Sequence, residues 1–351
     1  MSRPVGLGPE TLAIHPQRQP DELLSSWIVA LARANGCKVH TLCSRMAGNQ
    51  HNVWNRDVDR MAPATLIERL SALTAVDSAT IRTYTLAHLA EQIDVDHHPN
   101  GSATWILPLG VYHRSRLRYG VQFCPMCLRM DERPYVRRSW RLAYYTECEH
   151  HGIQMMDRCP RCGTGFDYFR GDLGHRERLE SARISLCTHC YMDLGYAMPS
   201  RFDWPDWQLT VAVRTLQYMS DFGYAFVGRL EFAAAPDLFL VLRQFIRLLS
   251  SRGRPGQLYD AVAAELWHEA YPALSERGKE FEKRSVDERN RLFGMAVWLL
   301  IDWPERFERV FAASGVHRHS LTADMKRVPT WFREQCGVCY PASCSAPLRP
   351  W

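Results

Sequence analysis

The chain has 351 residues, enough for two or three domains each with its own core, and its 46% hydrophobic content is that of a globular protein. It has no apolar signal segment and no run of membrane-spanning length, which excludes a membrane-embedded role and leads us to expect a cytoplasmic protein with reduced thiols. The formal net charge of +5 is too small to announce a nucleic-acid partner by itself.

Residues 1 to 19 hold Pro4, Pro9 and Pro16 with Gly6 and Gly8 between them, the composition of an extended arm. Pro20 suits the first turn of a helix, and Asp21 and Glu22 complement its dipole. Leu24, Trp27, Ile28 and Leu31 recur at helical spacing until Asn35-Gly36 supplies the stop. A second helix is predicted over about Val39 to Met46, and two more over Thr65 to Leu73 and Ser78 to Leu89, with Asp77 as N-cap of the last. Either pair satisfies a helix-turn-helix pattern. The later pair offers Arg82 and His88 as contacts, the earlier one Lys38, Arg45, Gln50 and Arg56. Helix pairs of this kind are also common as plain bundle elements, so both readings stay open.

Between 110 and 145 the chain turns basic and aromatic. Arg114, Arg116, Arg118, Arg129, Arg133, Arg137, Arg138 and Arg141 stand there against Asp131 and Glu132, interleaved with Tyr112, Tyr119, Phe123, Tyr135, Trp140, Tyr144 and Tyr145. Arginines among aromatics suit phosphate contact and base stacking. Arg114, Arg116, Arg118, Arg137 and Arg138 are accordingly the candidate surface for nucleic acid or a ribonucleoprotein partner. The competing reading is that the aromatics pack inward and the arginines form a solvated face.

Four two-residue grips follow: Cys124-Pro-Met-Cys127, Cys148-Glu-His-His151, Cys159-Pro-Arg-Cys162 and Cys187-Thr-His-Cys190. Two residues between ligands let a tight turn aim both side chains at one ion, and two grips complete a tetrahedron. Paired in order they make a three-cysteine, one-histidine site and a four-cysteine site, with 20 and 24 residues between grips, at or slightly above structural-zinc spacing. Interleaved pairing is also compatible with the sequence, and disulfides are the alternative for an oxidising compartment. Closed ligand sets leave no open coordination position, so two structural Zn2+ per chain are expected to hold the fold and not to activate water. Seven thiolates and two such ions bring the formal charge to about +2. His150 leaves one intervening residue and is a poorer ligand than His151; His189 sits inside a complete grip.

After Pro199 the pattern is helical. Pro236-Asp237 opens a helix striped by Leu238, Val241, Leu242, Phe245 and Leu249 and stopped by Gly253 and Pro255. Ser285 and Glu288 have capping-box spacing ahead of Leu292, Phe293, Ala296, Leu299 and Leu300; Trp303-Pro304 breaks that run, and Phe307, Val310 and Phe311 continue in a helix ending at Gly315. These stripes are core first and a self-association surface, as in a homodimer, second. Cys336, Cys339 and Cys344 with His317 and His319 are the raw material of a third metal site; Cys37 and Cys43 read as ordinary thiols. The predicted fold is mainly α, in three parts: an arm and helix-turn-helix-like bundle over 1–100, a tandem zinc region over 101–200 and a helical domain over 201–351. No phosphate-cradling glycine loop, zinc-protease helix or nucleophile elbow is present, so an enzyme is not expected; a zinc-scaffolded nuclease is the weakest of the functional alternatives.

Several segments, taken in order, resemble the TniQ family: Pro20-Asp-Glu-Leu-Leu-Ser-Ser-Trp27, Leu31-Ala-Arg-Ala-Asn-Gly36, Trp105-Ile-Leu-Pro-Leu-Gly110, Phe123-Cys-Pro-Met-Cys-Leu128 with Asp131, Tyr135-Val-Arg-Arg-Ser-Trp-Arg-Leu142, Cys148-Glu-His-His-Gly152 and Asp157-Arg-Cys-Pro-Arg-Cys-Gly163. The resemblance spans roughly residues 15 to 200. It implies a bacterial, non-catalytic adaptor for transposition, which binds a CRISPR effector ribonucleoprotein or attachment-site DNA and recruits an AAA+ ATPase and, through it, the transposase. The alternative within the family is a free-standing DNA binder of TnsD type, whose members usually carry a longer C-terminal portion. The family's ligand positions fall on the eight grip residues given above.

Overall fold

The computed structural model describes residues 11–47, 53–55, 57–87, 89, 93, 103–109, 111–112, 115–116, 119–171, 183–200, 204–219, 224–227, 230–253, 257–267 and 271–337. It is mainly helical, and its residues group into two compact units: 1–202 with 285–287, and 203–284 with 288–351.

In the first unit, α1 (Leu24–Ala34), α2 (Val39–Ala47), α3 (Val58–Met61), α4 (Ala64–Thr74) and α5 (Ser78–Arg82) precede a two-residue-per-strand hairpin, β1 (Val111–Tyr112) with β2 (Ser115–Arg116), and then α6 (Pro125–Met130). Beyond α6 short turns and isolated bridges replace regular elements.

Helix α1 is the centre of this unit, buried continuously from Leu24 to Ala32. Its start differs from the expected Pro20. Asp21 adopts a left-handed conformation (φ 56°) and Glu22 pairs with Arg137 in an antiparallel bridge, so the Pro20 segment lies along residues 137–139 instead of forming a helical turn. The unpaired N–H groups that any helix start presents are met from distant segments: Leu23 N donates to Val136 O (2.9 Å), Leu24 N to Tyr84 O (2.9 Å) and Ser25 N to Asp59 Oδ1 (2.8 Å). Gly36 closes the helix at φ 62°, as its sequence position suggested.

The predicted helix over 78–89 also stops short. Asp77 caps it, accepting from Thr80 N at 2.9 Å, but Thr83 Oγ1 donates to Thr80 O and Thr85 Oγ1 to Arg82 O, both at 2.7 Å. Threonine hydroxyls that take helical carbonyls compete with continuation of the helix, and the chain turns away after Arg82.

The second unit contains α7 (Trp207–Met219), an antiparallel hairpin of β3 (Tyr224–Val227) and β4 (Leu230–Ala234), α8 (Ala235–Leu249), α9 (Gln257–Trp267), α11 (Glu305–Ser314) and α12 (Thr330–Cys336). Helix α10 (Val286–Ile301) begins in the first unit and runs through the second. The α8 stripe is buried as its spacing predicted. Phe245 and Phe307 stack with centroids 5.4 Å apart, Phe332 meets Phe245 edge-on at 5.7 Å, and Trp303 stacks on Phe307 at 5.0 Å. Glu288 spends one oxygen on a distant donor, Ser275 N at 2.6 Å, and pairs with Arg284 at 3.4 Å.

Candidate metal centres

Each grip is a turn closed by backbone hydrogen bonds. Cys124 caps α6, accepting from Cys127 N at 3.5 Å on its sulfur, with Pro125 in the first helical turn where its missing N–H costs nothing. Gly152 N donates to Cys148 O (2.8 Å), Gly163 N to Cys159 O (2.9 Å) and Tyr191 N to Cys187 O (3.0 Å). The residue after each of these grips is left-handed: Gly152 at φ 59°, Gly163 at 73° and Tyr191 at 60°. Glycine takes that conformation freely; tyrosine does so at a cost of about 1–2 kcal/mol.

These turns bring together Cys124, Cys127, Cys148 and His151, and separately Cys159, Cys162, Cys187 and Cys190, with the four ligand atoms of each set within 4.8 Å of one another. The pairing is therefore consecutive. His151 Nδ1 lies 3.5, 3.4 and 3.5 Å from the sulfurs of Cys124, Cys127 and Cys148, and Cys127 Sγ is 3.6 Å from Cys148 Sγ. In the second set Cys159 pairs with Cys190 and Cys162 with Cys187, both at 3.6 Å. A tetrahedron built with Zn–S of about 2.3 Å and Zn–N of about 2.0 Å has S···S edges near 3.8 Å and S···N edges near 3.5 Å. The observed separations fit both edges, so each cluster can hold one such ion. His150 points away, half-exposed at 53%, with Glu149 3.7 Å distant.

The arginines beside the first centre are spent inside the unit. Arg137 is 5% exposed, paired through two 3.0 Å hydrogen bonds with Asp131 and lying 4.1 Å above the Tyr135 ring. Burial opposes its charge, but Asp131 and then Cys127 outweigh it and push its pKa up. Arg138 Nε donates to Asp21 Oδ1 at 2.8 Å and Nη1 to Thr83 O at 3.0 Å. Arg133 reaches Glu22 at 2.7 and 2.9 Å. Of the five candidate surface arginines, Arg137 and Arg138 thus make ion pairs with Asp131 and Asp21. Arg116 belongs to β2; Arg114 and Arg118 lie outside the described residues.

A buried ionic knot, not signalled by any sequence motif, ties the helices to this region. Arg141 is fully buried; its Nη1 and Nη2 donate to Asp57 at 3.1 and 2.5 Å, Nη1 also to Asp59 at 3.3 Å, and Nη2 to Leu107 O at 3.0 Å. Ser25 Oγ donates to Asp59 Oδ2 at 2.7 Å and also hydrogen-bonds the Tyr168 hydroxyl. One guanidinium faces two carboxylates here. Burial pushes Asp59 up to about 6 despite Arg141, whereas for Asp57 the same burial is outweighed by Arg141 and its carboxyl is held down.

The third candidate site has no set of ligands among the described residues. His317 and His319 stack on each other at 5.8 Å and Cys336 is buried at the end of α12, but no metal-holding group includes them. Cys339, Cys344, Gln50, Arg56 and His88 lie outside the described residues. No described helix is long and apolar enough to cross a membrane.

No curated protein matches the chain. A family comparison matches residues 13–155, the stretch that runs from the arm through α1 to just past the His151 grip, to TniQ. That segment, which carries α1, the internally paired arginines and the first metal centre, is similar to the TniQ family, and the match spans residues 13–155 of the 351.

Proposed function

We propose that the chain is a non-catalytic adaptor in transposition, linking a target-recognition element to the AAA+ ATPase that brings the transposase. The observation that carries this reading is the TniQ match over 13–155. On this reading the eight grip residues hold two structural Zn2+, the ions that the edge lengths fit, and the protein works in the bacterial cytoplasm, alone or as a homodimer. The division into 1–100, 101–200 and 201–351 is then one of surfaces: the N-terminal helices meet the ATPase or DNA, and the zinc region with the C-terminal helices meets the targeting complex, a CRISPR effector ribonucleoprotein in systems that use one. Co-purification tests it. The intact chain should retain both the ATPase and the targeting partner, and loss of both with DNA strand cleavage by the chain alone would sink the adaptor reading.

A second reading, a site-specific DNA binder of TnsD type, draws support from α2, which exposes Thr41, Ser44 and Arg45 on one face. That face suits a major groove better than α5, which has five residues. Binding of one defined duplex by the isolated chain, with affinity falling steeply in salt and lost on Arg45→Glu, would put this reading first.

A further inference from the structure

The two metal centres differ in how far solvent reaches their sulfurs. In the first, Cys124, Cys127 and Cys148 are 0%, 1% and 0% exposed. Phe123, Val136, Trp140 and Tyr145, all buried, belong to the same core. In the second, Cys159 and Cys187 are buried, but Cys162 and Cys190, one from each grip, are half-buried. The residues beside those two sulfurs, Arg161, Gly163, His189 and Tyr191, are exposed, and a methyl group added at Gly163 would meet nothing within 4 Å. The second centre also carries the one non-glycine left-handed residue that follows a grip, Tyr191.

Charge acts in the same direction as access. Three thiolates and a neutral imidazole around a divalent cation leave a net charge of about −1, and four thiolates leave about −2. The four-cysteine sulfurs are therefore the more electron-rich.

We propose, resting on the two-ion reading above, that Cys162 and Cys190 form a thiolate modification site for soft electrophiles, and that the second centre gives up its ion while the first remains loaded. With a maleimide, the sulfur lone pair of Cys162 or Cys190 forms a C–S bond to the ring alkene as the metal–sulfur bond breaks. The resulting enolate takes a proton from water. Alkylation of both leaves Cys159 and Cys187 as a two-ligand set that cannot close a tetrahedron.

The test uses the full-length protein with its metal content first measured by elemental analysis. Limiting N-ethylmaleimide is added, labelled cysteines are quantified by peptide mass spectrometry, and released metal is followed with a chromogenic chelator. Cys162 and Cys190 should label at least about tenfold faster than Cys124, Cys127 and Cys148, with one equivalent of metal released before the other. Half-buried Cys37, outside both centres, reports the rate of an ordinary thiol. Equal labelling of the two sets, or release of both equivalents together, would overturn the proposal while leaving the two-ion reading intact. Fewer than two ions at the outset would instead overturn that reading, and this proposal with it.

Discussion

Arg141 shows how much a single side chain carries in this protein. It is fully buried and is the cation shared by Asp57 and Asp59. Removing one partner of a buried ionic set strands the others in a medium that solvates them poorly, at about 3–5 kcal/mol. We expect Arg141→Leu to lower the urea midpoint by an amount in that range, or to prevent folding of the first unit, and Arg141→Lys to recover little because lysine lacks the planar fork. The same knot has a pH signature. Because the folded Asp59 carboxyl is pushed up to about 6 from an ordinary 3.8, its stabilising proton is fully in place below about pH 4 and is lost as pH rises through 6. That loss amounts to about 3 kcal/mol. Comparing Asp59→Asn with the parent from pH 4 to 7 cancels the acid lability of the metal ligands. The difference in stability should shift in favour of the variant as pH rises, and a difference flat with pH would disprove the assignment.

Elements here are ended and placed by side chains that pattern does not announce. Gly294 lies within α10, where alanine would ordinarily add about 1 kcal/mol of helix stability. A β-carbon at that position, however, would sit 2.0 Å from the Trp204 indole. We expect Gly294→Ala to destabilise the second unit by at least about 2 kcal/mol through overpacking, measured by denaturant unfolding; the double variant with Trp204→Phe should recover part of the loss. The apolar stripe of α8, the stop at Gly36 and the end of α11 at Gly315 were all legible in the sequence, because periodicity and a left-handed glycine are local signals. The start of α1 was not, since its donors are satisfied by Val136, Tyr84 and Asp59, and α5 ends at hydroxyl competition that propensity does not encode. The β3–β4 hairpin has strand composition in Tyr224-Ala-Phe-Val227 and Leu230-Glu-Phe232, a short signal beside the longer helical stripes around it. The ligand sets could be read because two-residue grips are local chemistry. The internal role of Arg137 and Arg138 could not, because an arginine-rich run looks alike whether its carboxylates are near or 117 residues away in sequence.

For the whole molecule, both metal centres lie in the first unit, and none of the eight ligands belongs to the second. Since structural zinc contributes folding free energy directly, removing the ions should act unevenly. Differential scanning calorimetry after treatment with a strong chelator under reducing conditions should abolish the transition of the first unit and leave a transition belonging to the second, which has its own aromatic core around Phe245, Phe307 and Phe332. Cys159→Ser should move in the same direction, with one equivalent of metal lost. Complete unfolding of both units as one transition would show that the second cannot stand without the first.

The borrowed hydrogen bonds at the start of α1 also set a schedule. Val136 receives the Leu23 amide, and Arg133 and Arg138 clamp Glu22 and Asp21 from more than a hundred residues downstream. A ribosome adds about 5–20 residues per second, so α1 emerges several seconds before these later partners exist. During that interval α1 can meet Asp59 and Tyr84, but Asp21, Glu22 and the Leu23 amide lack their later partners. Those three contacts wait for residues 133–138, which follow the first grip. The chain ahead of α1 is therefore held by the downstream segment around the first centre and not by the helix itself.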